Sequence, residues 1–459
     1  MSLPDQGCLA AIVQAPDVHT EADFISDNLR QVGMLALAGA AMDARQRTRM
    51  QGKTVMLALS TQLETVGALL GLDGVARRIV IWPHLMTDAS LSGAADRAGV
   101  DVLLTTWPVP HGPAPARKAA DPGPALLTEW VLFTSGTTGR PKMVVHSLAS
   151  LCRHLLAPAP APRKPEWCTF YDIRRYGGMQ VLLRALVGGG SLVLTSPQEN
   201  FSEFLVRASA AGRTHFLGTP SHWRRALMTQ SHRLIAPTYV RLSGEVADQI
   251  ILDRLRTAYP YAAIVHAFAS TEAGLAFEVA DGRAGFPAAL ISQNAGRVEL
   301  DVSTGTLRIR SPRCAAGRLS HSLEPIAGAD GFIDTGDRVL LRGDRYHLIG
   351  RADAMVNVGG QKIHPEEVEA VINQHPAVQM SLVTSRASPI TGAVVVADVV
   401  TRPGTFGTEA ASSGATKKLE REIQAFCRTR LEPFQVPYRI RLVPNLEISP
   451  AGKLVRAHA

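Results

Sequence analysis

Apolar residues in the first part of the chain fall into short runs separated by longer stretches of mixed polarity. The runs at 54–59, 78–81 and 100–104 consist largely of apolar and β-branched residues, which is typical of strands buried on both faces of a parallel sheet. The stretches between them are long enough for the helices that connect parallel strands. Residues 20–106 therefore predict a series of βα units, and residues 129–133 predict a further strand.

The pattern changes after residue 300. The segments at 306–309, 338–341 and 345–349 are short, alternating or β-branched, and they are separated by Gly and Asp, which predicts antiparallel hairpins. A second change follows residue 351. The helix predicted at 365–374 begins with proline and carries two glutamates in its first turn, an arrangement that suits the helix dipole.

The remaining C-terminal pattern predicts strands at 379–384 and 393–400, a loop at 403–415 and an amphipathic helix at 417–431. Two proline-rich stretches, 107–124 and 157–165, are predicted to be connections because proline fixes φ and donates no backbone hydrogen bond.

These elements predict an α/β protein with two domains. The large N-terminal domain, residues 1–350, is expected to be a multilayer αβ domain with parallel-rich sheets and a small β-barrel-like subdomain. The small C-terminal domain, residues 354–459, is expected to be an α+β lid that moves about a hinge at residues 351–353.

The composition is that of an ordinary globular protein, with 46% hydrophobic and 19% charged residues among 459. No apolar run is long enough to cross a bilayer, and the N-terminus lacks a secretory pattern, so we expect a cytoplasmic protein without a membrane span. The five cysteines form no CxxC pair, which argues against a disulfide framework or a zinc site. The formal charge of +8 suits anionic partners, but the basic residues form no block, so nucleic acid is not expected.

The most informative segment is LFTSGTTGRPK, residues 132–142. Its glycines allow a tight turn, and its hydroxyls and successive N–H groups can surround an anion. Lys142 adds a positive charge for a terminal phosphate. The segment is not a Walker A loop, because Met143 stands where that loop has a hydroxyl residue. The alternative is an ordinary Ser/Thr/Gly turn. The candidate phosphate ligands are Thr134, Ser135, Gly136, Thr137, Thr138 and Gly139.

This segment resembles the phosphate loop of the adenylate-forming superfamily, which contains the acyl- and aryl-CoA synthetases, the free-standing adenylation domains and the luciferases. Four further segments occur in that family's order, so the resemblance covers about residues 125–459 and is poor over the first 120. It implies a carboxylic acid substrate, ATP, Mg²⁺, and either coenzyme A or the phosphopantetheine arm of a carrier protein.

The second segment is Phe268-Ala269-Ser270-Thr271-Glu272. In the family an aromatic residue here stacks on adenine, and the glutamate helps to hold Mg²⁺, which prefers oxygen ligands. Phe268 and Ala269 replace the family's tyrosine and glycine. The resemblance also assigns Ser243, Gly244 and Glu245 to the nucleotide site.

Three later segments complete the resemblance. The first, residues 330–337 with 350–353, places Asp337 and Arg351 at the ribose. The second, residues 356–369, implies a tunnel for the thiol that is lined by Gly359, Gly360 and Lys362, with Asp353 at the hinge. In the third, residues 449–453, the family's terminal lysine corresponds to Lys453, which enters the active site during adenylation. The resemblance thus implies the catalytic residues Lys453, Glu272, Thr271 and Lys142.

The substrate pocket departs from the family pattern at residues 170–178. Arg174 or Arg175 stands where the family has His or an aromatic residue. One hypothesis is that an arginine here binds a second carboxylate or a phosphate, and the alternative is that both arginines are exposed on the surface. Tyr176 replaces the aspartate that holds an α-amino group in peptide-synthetase domains, so an α-amino acid is not expected. The predicted pocket residues suit a small to medium or aryl acid, and they are Arg174, Arg175, Tyr176, Gly177, Gly178, His215, His266 and Ala267.

Three functions remain open from the sequence. The first is an AMP-forming acid:CoA ligase, and the second is a free-standing adenylation enzyme that loads an acyl carrier protein. The third is an inactive nucleotide-binding homologue, which the departures at Phe268-Ala269 and Arg174-Arg175 keep open. The protein is expected to be a monomer or a homodimer.

Overall fold

The structure is a computed structural model that describes residues 8–40, 44–83, 88–108, 126–134, 141–153, 155, 164–197, 199–294, 296–301, 303–358, 361–388, 392–405, 413–449 and 452–456.

The helices within these residues include several that follow strands in the predicted βα order. They are α1 Leu9–Val13, α2 Met34–Gly39, α3 Ala44–Met50, α4 Gln62–Leu72, α5 Asp88–Ala98, α6 Leu148–Cys152, α7 Tyr176–Gly188, α8 Phe201–Ala210, α9 Pro220–Ala226, α10 Gln249–Ala258, α11 Ala289–Gln293, α12 Pro365–Ile372 and α13 Ser413–Arg428. Single 3₁₀ turns span Gln230–Arg233 and Ala352–Ala354. None of the described helices is long and apolar enough to cross a membrane.

Most strands of the described residues have two to six residues, and the longest lie in antiparallel pairs. They are β1 Phe24–Ser26, β2 Gln31–Gly33, β3 Thr54–Leu57, β4 Arg78–Ile81, β5 Val102–Leu104, β6 Glu129–Thr134, β7 Lys142–Ser147, β8 Trp167–Thr169, β9 Leu192–Val193, β10 His215–Gly218, β11 Tyr239–Ser243, β12 Ala263–Ser270, β13 Gly274–Val279, β14 Phe286–Pro287, β15 Val298–Asp301, β16 Thr306–Ile309, β17 Gly317–Ser320, β18 Ser322–Glu324, β19 Ile333–Arg342, β20 Arg345–Arg351, β21 Val356–Val358, β22 Gln361–Ile363, β23 Val378–Ser388, β24 Gly392–Thr401 and β25 Arg439–Leu442.

Two large sheets form the N-terminal part. The first has the order β13-β12-β11-β10-β8-β9-β1-β2 and is parallel except at its two ends. The second has the order β18-β17-β7-β6-β4-β3-β5, with a parallel half made of β3 to β6. Helices α4 and α7 share one apolar core with both sheets. This core fixes α7 against the face of β8 and β10, which matters for the site described below.

A third, antiparallel sheet has the order β14-β20-β19-β16-β15. Its core packs Phe286, Leu307 and Ile333 against Phe277 of the first sheet. Strand β19 is longer than the predicted 338–341, because Ile333 and Thr335 are buried and its N-terminal half pairs with β16. The motif at 330–337 is therefore largely strand.

The C-terminal part has a core of its own. Strands β23, β24 and β25 form a three-stranded sheet, and α12 and α13 cover it through residues such as Val368 and Ile423. Helix α13 starts four residues earlier than predicted and ends before Leu431, which continues the apolar pattern from outside the helix and packs against the same core.

The fold class predicted from the sequence is confirmed. A large N-terminal part with parallel-rich sheets and an antiparallel subdomain precedes a small α+β part. The boundary at 351–353 coincides with the 3₁₀ turn at Ala352–Ala354, and the role of this turn as a hinge stays a prediction.

Candidate active site

The candidate site lies at the carboxyl ends of β10, β11 and β12. Ligands bind at this edge in open parallel sheets, because the loops that follow neighbouring strands meet there. Strand β10 leads to Thr219, β11 leads to Gly244 and Glu245, and β12 leads to Thr271 and Glu272. Segments far apart in the sequence are thus brought to one edge.

The C-terminal segment enters this edge and carries Lys453 with it. A Cβ atom built on Gly244 would lie 3.6 Å from Cε of Lys453. The hydroxyl of Thr219 donates to the carbonyl of Gly452 at 2.5 Å, and the N–H of Leu454 donates to Oε1 of Glu245 at 3.0 Å. The backbone on both sides of Lys453 is therefore held by loops that follow β10 and β11.

Glu245 and Thr219 are themselves positioned by the start of α9. The hydroxyl of Thr219 accepts from the N–H of His222 at 3.1 Å, and Oε2 of Glu245 accepts from the N–H of Ser221 at 2.9 Å. The helix starts with Pro220, whose missing N–H costs nothing at this position. The same two side chains thus cap a helix and hold the segment that carries Lys453.

Arg456 fixes the end of this segment to the C-terminal domain. Its Nη1 donates to Oε1 of Glu369 at 2.8 Å, and its Nη2 donates to Oε2 at 2.9 Å. Nη1 also donates to the carbonyl of Val383. Two parallel bonds between a guanidinium and a carboxylate fix geometry as well as charge, so Lys453 lies on a segment anchored at both ends.

Asp337 lies close to Lys453 and Arg351. It pairs with Arg351 across β19 and β20. Burial raises the pKa of Asp337 to about 6, and the charges of Arg351 and then Lys453 oppose that rise. Arg351 also donates through Nε to Oδ1 of Asp353 at 2.9 Å and through Nη1 to the carbonyl of Thr335 at 3.1 Å. The predicted ribose ligand, the predicted hinge residue and the C-terminal lysine therefore belong to one charged group.

A cavity of about 710 Å³ reaches Glu245, which holds the backbone next to Lys453, and its volume is within the range of pockets that enclose small ligands. Glu245, Phe268 and Ile349 line it from the N-terminal part, and Glu366 and Arg430 line it from the C-terminal part. Both the N-terminal and the C-terminal part therefore line the cavity.

Phe268 keeps the aromatic face that the motif requires. Its ring stacks on Phe277 at 5.5 Å between centroids with an interplanar angle of 16°. Phe277 packs in turn against Phe286. The ring is half-buried, so one face is supported by the core while the side chain reaches the cavity. Ala269 and Ser270 follow on the same strand, and the hydroxyl of Ser270 accepts from the N–H of Ala273.

Thr271 and Glu272 follow β12 directly. The carbonyl of Thr271 accepts from Nε2 of His146 at 2.8 Å, and burial lowers the pKa of His146 to about 4, so this histidine is neutral at pH 7. Nη2 of Arg318 lies 3.8 Å from Oε1 of Glu272. Glu272 is thus a half-buried carboxylate without a short ion pair in the described part of the chain.

Glu272 suits a magnesium ion that is held mainly by phosphate and water. The described residues contain no group of three or more His, Cys, Asp or Glu side chains that could enclose a metal ion. Mg²⁺ usually takes only one or two protein carboxylates when a nucleotide supplies the remaining ligands, and Glu272 fits that role.

The phosphate-loop prediction is only partly covered by the structure. Thr134 ends β6 and pairs with Lys142, which begins β7, so the two ends of the segment lie side by side. The hydroxyl oxygen of Thr134 is buried and has no hydrogen-bond partner among the described residues. The predicted ligands between them, Ser135, Gly136, Thr137, Thr138 and Gly139, lie outside the described residues, as do the predicted tunnel residues Gly359 and Gly360. Lys362 is exposed on β22.

Arg174 is neither surface-exposed nor available to a ligand. It is 1% exposed, its Nε and Nη2 donate to the carboxylate of Asp172 at 2.8 and 2.9 Å, and its Nη1 donates to the carbonyl of Leu59 at 3.0 Å. The surface alternative is therefore wrong for Arg174. The hypothesis that Arg174 binds a second anion finds no support in these contacts.

The other predicted pocket residues divide into two groups. Arg175 precedes α7, and its Nε is buried without a partner among the described residues. A Cβ on Gly178 would overlap the carbonyl of Asp172, and one on Gly177 would lie 3.4 Å from the ring of Tyr171. These glycines allow α7 to start close to the preceding turn, and Tyr176 is buried at the same end.

His215 and Ala267 lie on one face of the first sheet, and His266 lies on the other. The register pairs Ser243 with Ala267 and Leu242 with His266, and successive side chains of a strand point to opposite faces. His266 contacts the carbonyl of Arg283 through Nε2 at 3.1 Å. The register therefore puts His215 and Ala267 on the same face as Ser243 and His266 on the opposite face, while His266 and Ala267 both line the cavity of about 710 Å³.

Three arginines that lie near the Ser243 face of the first sheet were missed by the sequence analysis. They are Arg184 on α7, Arg241 on β11 and Arg313, which follows β16. Two signals were present: Arg241 stands two residues before Ser243 and so shares its face, and Arg184 lies eight residues after Tyr176 and so shares its side of the helix. No sequence signal links Arg313 to them.

Comparisons with known proteins agree with this geometry. A family model for the AMP-binding enzymes matches residues 128–317, and a model for their C-terminal domain matches residues 367–453. The chain is 27% identical to oxalate–CoA ligase of Arabidopsis thaliana over 71% of its length, and 28% identical to a p-hydroxybenzoic acid–AMP ligase of Mycobacterium tuberculosis over 71%. These alignments span 65% and 48% of the two relatives.

Among solved structures, an anthranilate CoA ligase in complex with anthranoyl-AMP superimposes with a TM-score of 0.78 at 18% identity. The match covers 98% of this chain and 96% of that one. This similarity extends over the N-terminal third, where the sequence resemblance is poor, and shows that the whole chain has the same fold.

Proposed function

This chain belongs to the adenylate-forming superfamily of AMP-binding enzymes, and on that basis we propose that it activates a carboxylic acid with ATP as an acyl-AMP and then passes the acyl group to a pantetheine thiol. The observation that carries the proposal is the position of Lys453. It lies beside Gly244 and close enough to Asp337 for its charge to lower the pKa of that carboxyl group.

The first half-reaction needs charge stabilisation and orientation more than a side-chain nucleophile. The substrate carboxylate attacks the α-phosphorus of ATP, the bond to the β-phosphate oxygen breaks, and pyrophosphate leaves. Two anions must approach each other, so a cation between them lowers the barrier. Lys453 supplies that cation. Asp337 as a carboxylate accepts from the ribose hydroxyls, which fixes the α-phosphate relative to Lys453.

Glu272 would hold a magnesium ion, which offsets the negative charge of the ATP phosphates when bound. Phe268 offers a ring face to adenine at the edge of the cavity. Lys142, at the end of the phosphate loop, is placed to bind the leaving pyrophosphate.

The second half-reaction attacks the acyl-AMP carbonyl with a thiol, and AMP leaves. We propose that the C-terminal domain, residues 354–459, turns about residues 351–353 for this step. The turn would withdraw Lys453 and bring Gly359, Gly360 and Lys362 to the thiol. Coenzyme A is the proposed acceptor, and a carrier-protein arm is the alternative because it presents the same pantetheine thiol.

The proposed substrate is a small to medium or aryl acid. The related proteins are named for oxalate, p-hydroxybenzoic acid and anthranilate, which are of that size.

ATP–pyrophosphate exchange across a panel of aryl, acyl and dicarboxylic acids tests the proposal. We expect exchange with at least one acid and none without acid. Absence of exchange with every acid, although the protein binds ATP, would favour the inactive nucleotide-binding homologue.

The acceptor is tested separately with an acid that supports exchange. AMP release is measured with free coenzyme A and with a phosphopantetheine-bearing carrier protein. Faster release with coenzyme A supports a CoA ligase, and release only with the carrier supports the alternative.

A further inference from the structure

The face of the first sheet that is covered by α7 carries an unusual amount of positive charge. Tyr239, Arg241 and Ser243 alternate along β11 and therefore point to the same face. The hydroxyl of Tyr171, just before α7, donates to the carbonyl of Ser243 at 2.9 Å. Leu217 of β10 packs in the same core as α7. The region where α7 faces β11 thus begins at Ser243, the residue before Gly244 of the candidate site.

Arg184 extends from α7 toward Arg241 of β11, and its guanidinium lacks one hydrogen-bond partner among the described residues. Its Nε is buried and makes no hydrogen bond to any described residue. Burial and, after it, the charge of Arg241 lower the pKa of Arg184 to about 10. The pKa of His215 is lowered to about 4 by burial and, to a smaller extent, by the charge of Arg184. A half-buried cation thus lies among other cations, with its Nε shielded from water.

Arg241 and Arg313 complete the cluster. Arg241 is 6% exposed and pairs with Glu278, with Nη1 and Oε1 2.7 Å apart. Nη1 of Arg313 donates to the carbonyl of Leu275 at 3.1 Å. The charges of Arg184, Arg241 and Arg313 act on the buried hydroxyl of Tyr176, whose pKa is raised by burial.

The charges of this cluster do not balance. Glu278 is the carboxylate that acts on both Arg184 and Arg313, and it is already paired with Arg241 while its side chain remains 39% exposed. Three guanidinium groups therefore face one carboxylate among the described residues. Buried charges are normally paired, so the cluster is suited to an anion that is not part of the protein.

The depth of the cluster can be estimated in two ways. Along β11, Arg241 and Tyr239 lie two and four residues from Ser243, which is about 7 and 13 Å at the rise of a strand. Along α7, Arg184 lies eight residues from Tyr176, which is about 12 Å at the rise of a helix. Both estimates place the cluster about 7–13 Å below the edge where Lys453 lies.

We propose that Arg184, Arg241 and Arg313 bind a second anionic group of the acid substrate, so that the enzyme prefers dicarboxylic acids whose distal carboxylate reaches this cluster. The inference rests on the proposed function and specifies the substrate class of the same site. The second anion is thus expected at residues from three separate elements and not at Arg174, whose guanidinium already binds the carboxylate of Asp172.

The test compares each dicarboxylic acid with its own monomethyl ester, which keeps the size and one reactive carboxylate but removes the distal charge. Adipate, suberate and terephthalate provide two chain lengths and one aryl spacer. ATP–pyrophosphate exchange is measured for each acid, for each half-ester and for hexanoate and benzoate. We expect at least one dicarboxylic acid to exceed its half-ester by about 100-fold in kcat/KM, because the half-ester leaves the arginines unpaired.

The variant Arg184→Met keeps the apolar stem and removes the charge. It should lower kcat/KM for the preferred dicarboxylic acid by about 100-fold, mainly through KM, and change the value for the half-ester by less than about 3-fold. Arg184→Lys should recover part of the loss. Arg313→Met serves as a second variant if Arg184→Met does not fold. Arg233→Met, at an exposed arginine of the 3₁₀ turn at Gln230–Arg233, is the matched control and should change neither value.

The two proposals fail in different ways. Exchange that is as fast with monocarboxylic acids or half-esters as with every dicarboxylic acid overturns this inference and leaves the ligase function intact. Equal losses for the acid and its half-ester in Arg184→Met also overturn it, because they show a structural role. Absence of exchange with every acid removes the proposed function, and the inference with it.

Discussion

Gly452 packs against the imidazole ring of His222, and a Cβ atom at position 452 would overlap that ring. The backbone of Gly452 also has φ +75°, a conformation that favours glycine. His222 is buried, and burial lowers its pKa to about 3, so it packs as a neutral ring. The residue before Lys453 is thus fixed by contact with a helix that starts more than 200 residues earlier in the chain.

Gly452→Ala should therefore reduce acyl-AMP formation by about 100-fold, because displacing Lys453 by about 1 Å is enough for a loss of that size. ATP–pyrophosphate exchange measures the effect. Gly404→Ala is the matched control: Gly404 has φ +83°, but a Cβ there meets nothing within 4 Å. It should cost about 1 kcal/mol of stability and leave exchange unchanged. Equal losses in both variants would contradict the role of the contact with His222.

Nucleotide binding should weaken as the pH falls through about 6. The pKa of Asp337 is raised to about 6 by burial, so the side chain is protonated below that pH and loses acceptor capacity for the ribose hydroxyls. The Kd of adenosine, which carries the ribose hydroxyls but no phosphate that titrates near pH 6, is measured by calorimetry and should rise about tenfold per pH unit below the midpoint. Asp337→Asn should bind weakly with a flat profile. Lys453→Ala should shift the midpoint upward, because the lysine charge lowers the pKa of Asp337. A profile unchanged in Asp337→Asn would contradict this assignment.

Arg174→Met should destabilise the fold without changing substrate preference. It removes the guanidinium that binds the carboxylate of Asp172 and the carbonyl of Leu59, and leaves that carboxylate only the backbone N–H of residue 174, which costs about 3 kcal/mol for a buried pair. Urea unfolding measures the change. Arg175→Met, at the neighbouring arginine whose pKa burial lowers, should change the free energy of unfolding by less than about 1 kcal/mol. If the relative rates with different acids changed in Arg174→Met while its stability did not, Arg174 would be a substrate ligand.

Gln379 joins the two domains in the observed arrangement. Its Nε2 donates to the carbonyl of Arg224 at 2.9 Å, and its Oε1 accepts from Nη1 of Arg254 at 2.6 Å. Gln379 is 4% exposed, so both bonds are shielded from water.

Gln379→Ala should lower the rate of acyl-AMP formation by about 10-fold, since two buried hydrogen bonds of the adenylation arrangement are lost. Transfer from preformed acyl-AMP to the thiol should not slow, because the proposed rotation of the C-terminal domain breaks both bonds before that step. Gln230→Ala, at an exposed glutamine, should affect neither rate. Slower transfer in Gln379→Ala would contradict the proposed domain rotation.

The elements that local sequence determines were well predicted. Strands β4 and β16 have the predicted bounds, because each is a compact apolar run with clear breaks at both ends. Strand β19 was predicted too short, since its N-terminal half contains Asp334 and Gly336, which resemble a turn. Pairing with β16 and burial of Ile333 keep that half extended.

The candidate site was predictable only where a contiguous motif carries it. Lys453, Asp337 and Glu272 each stand in a recognisable segment, and the fold brings Lys453 near Asp337. The arginine cluster could not be predicted, because Arg184, Arg241 and Arg313 meet only through the packing of α7 on the sheet. Arg174, by contrast, stands at a motif position, but its guanidinium already binds the carboxylate of Asp172.

The two half-reactions of Lys453→Ala test the central claim most directly. Acyl-AMP formation is measured by ATP–pyrophosphate exchange, and transfer is measured by mixing the variant with preformed acyl-AMP and the thiol. The account predicts that the first rate falls by about 100-fold or more while the second stays within about 3-fold of the unmodified protein. Unchanged acyl-AMP formation, or equal loss of both rates, would contradict a lysine that enters the site for adenylation and leaves it for transfer.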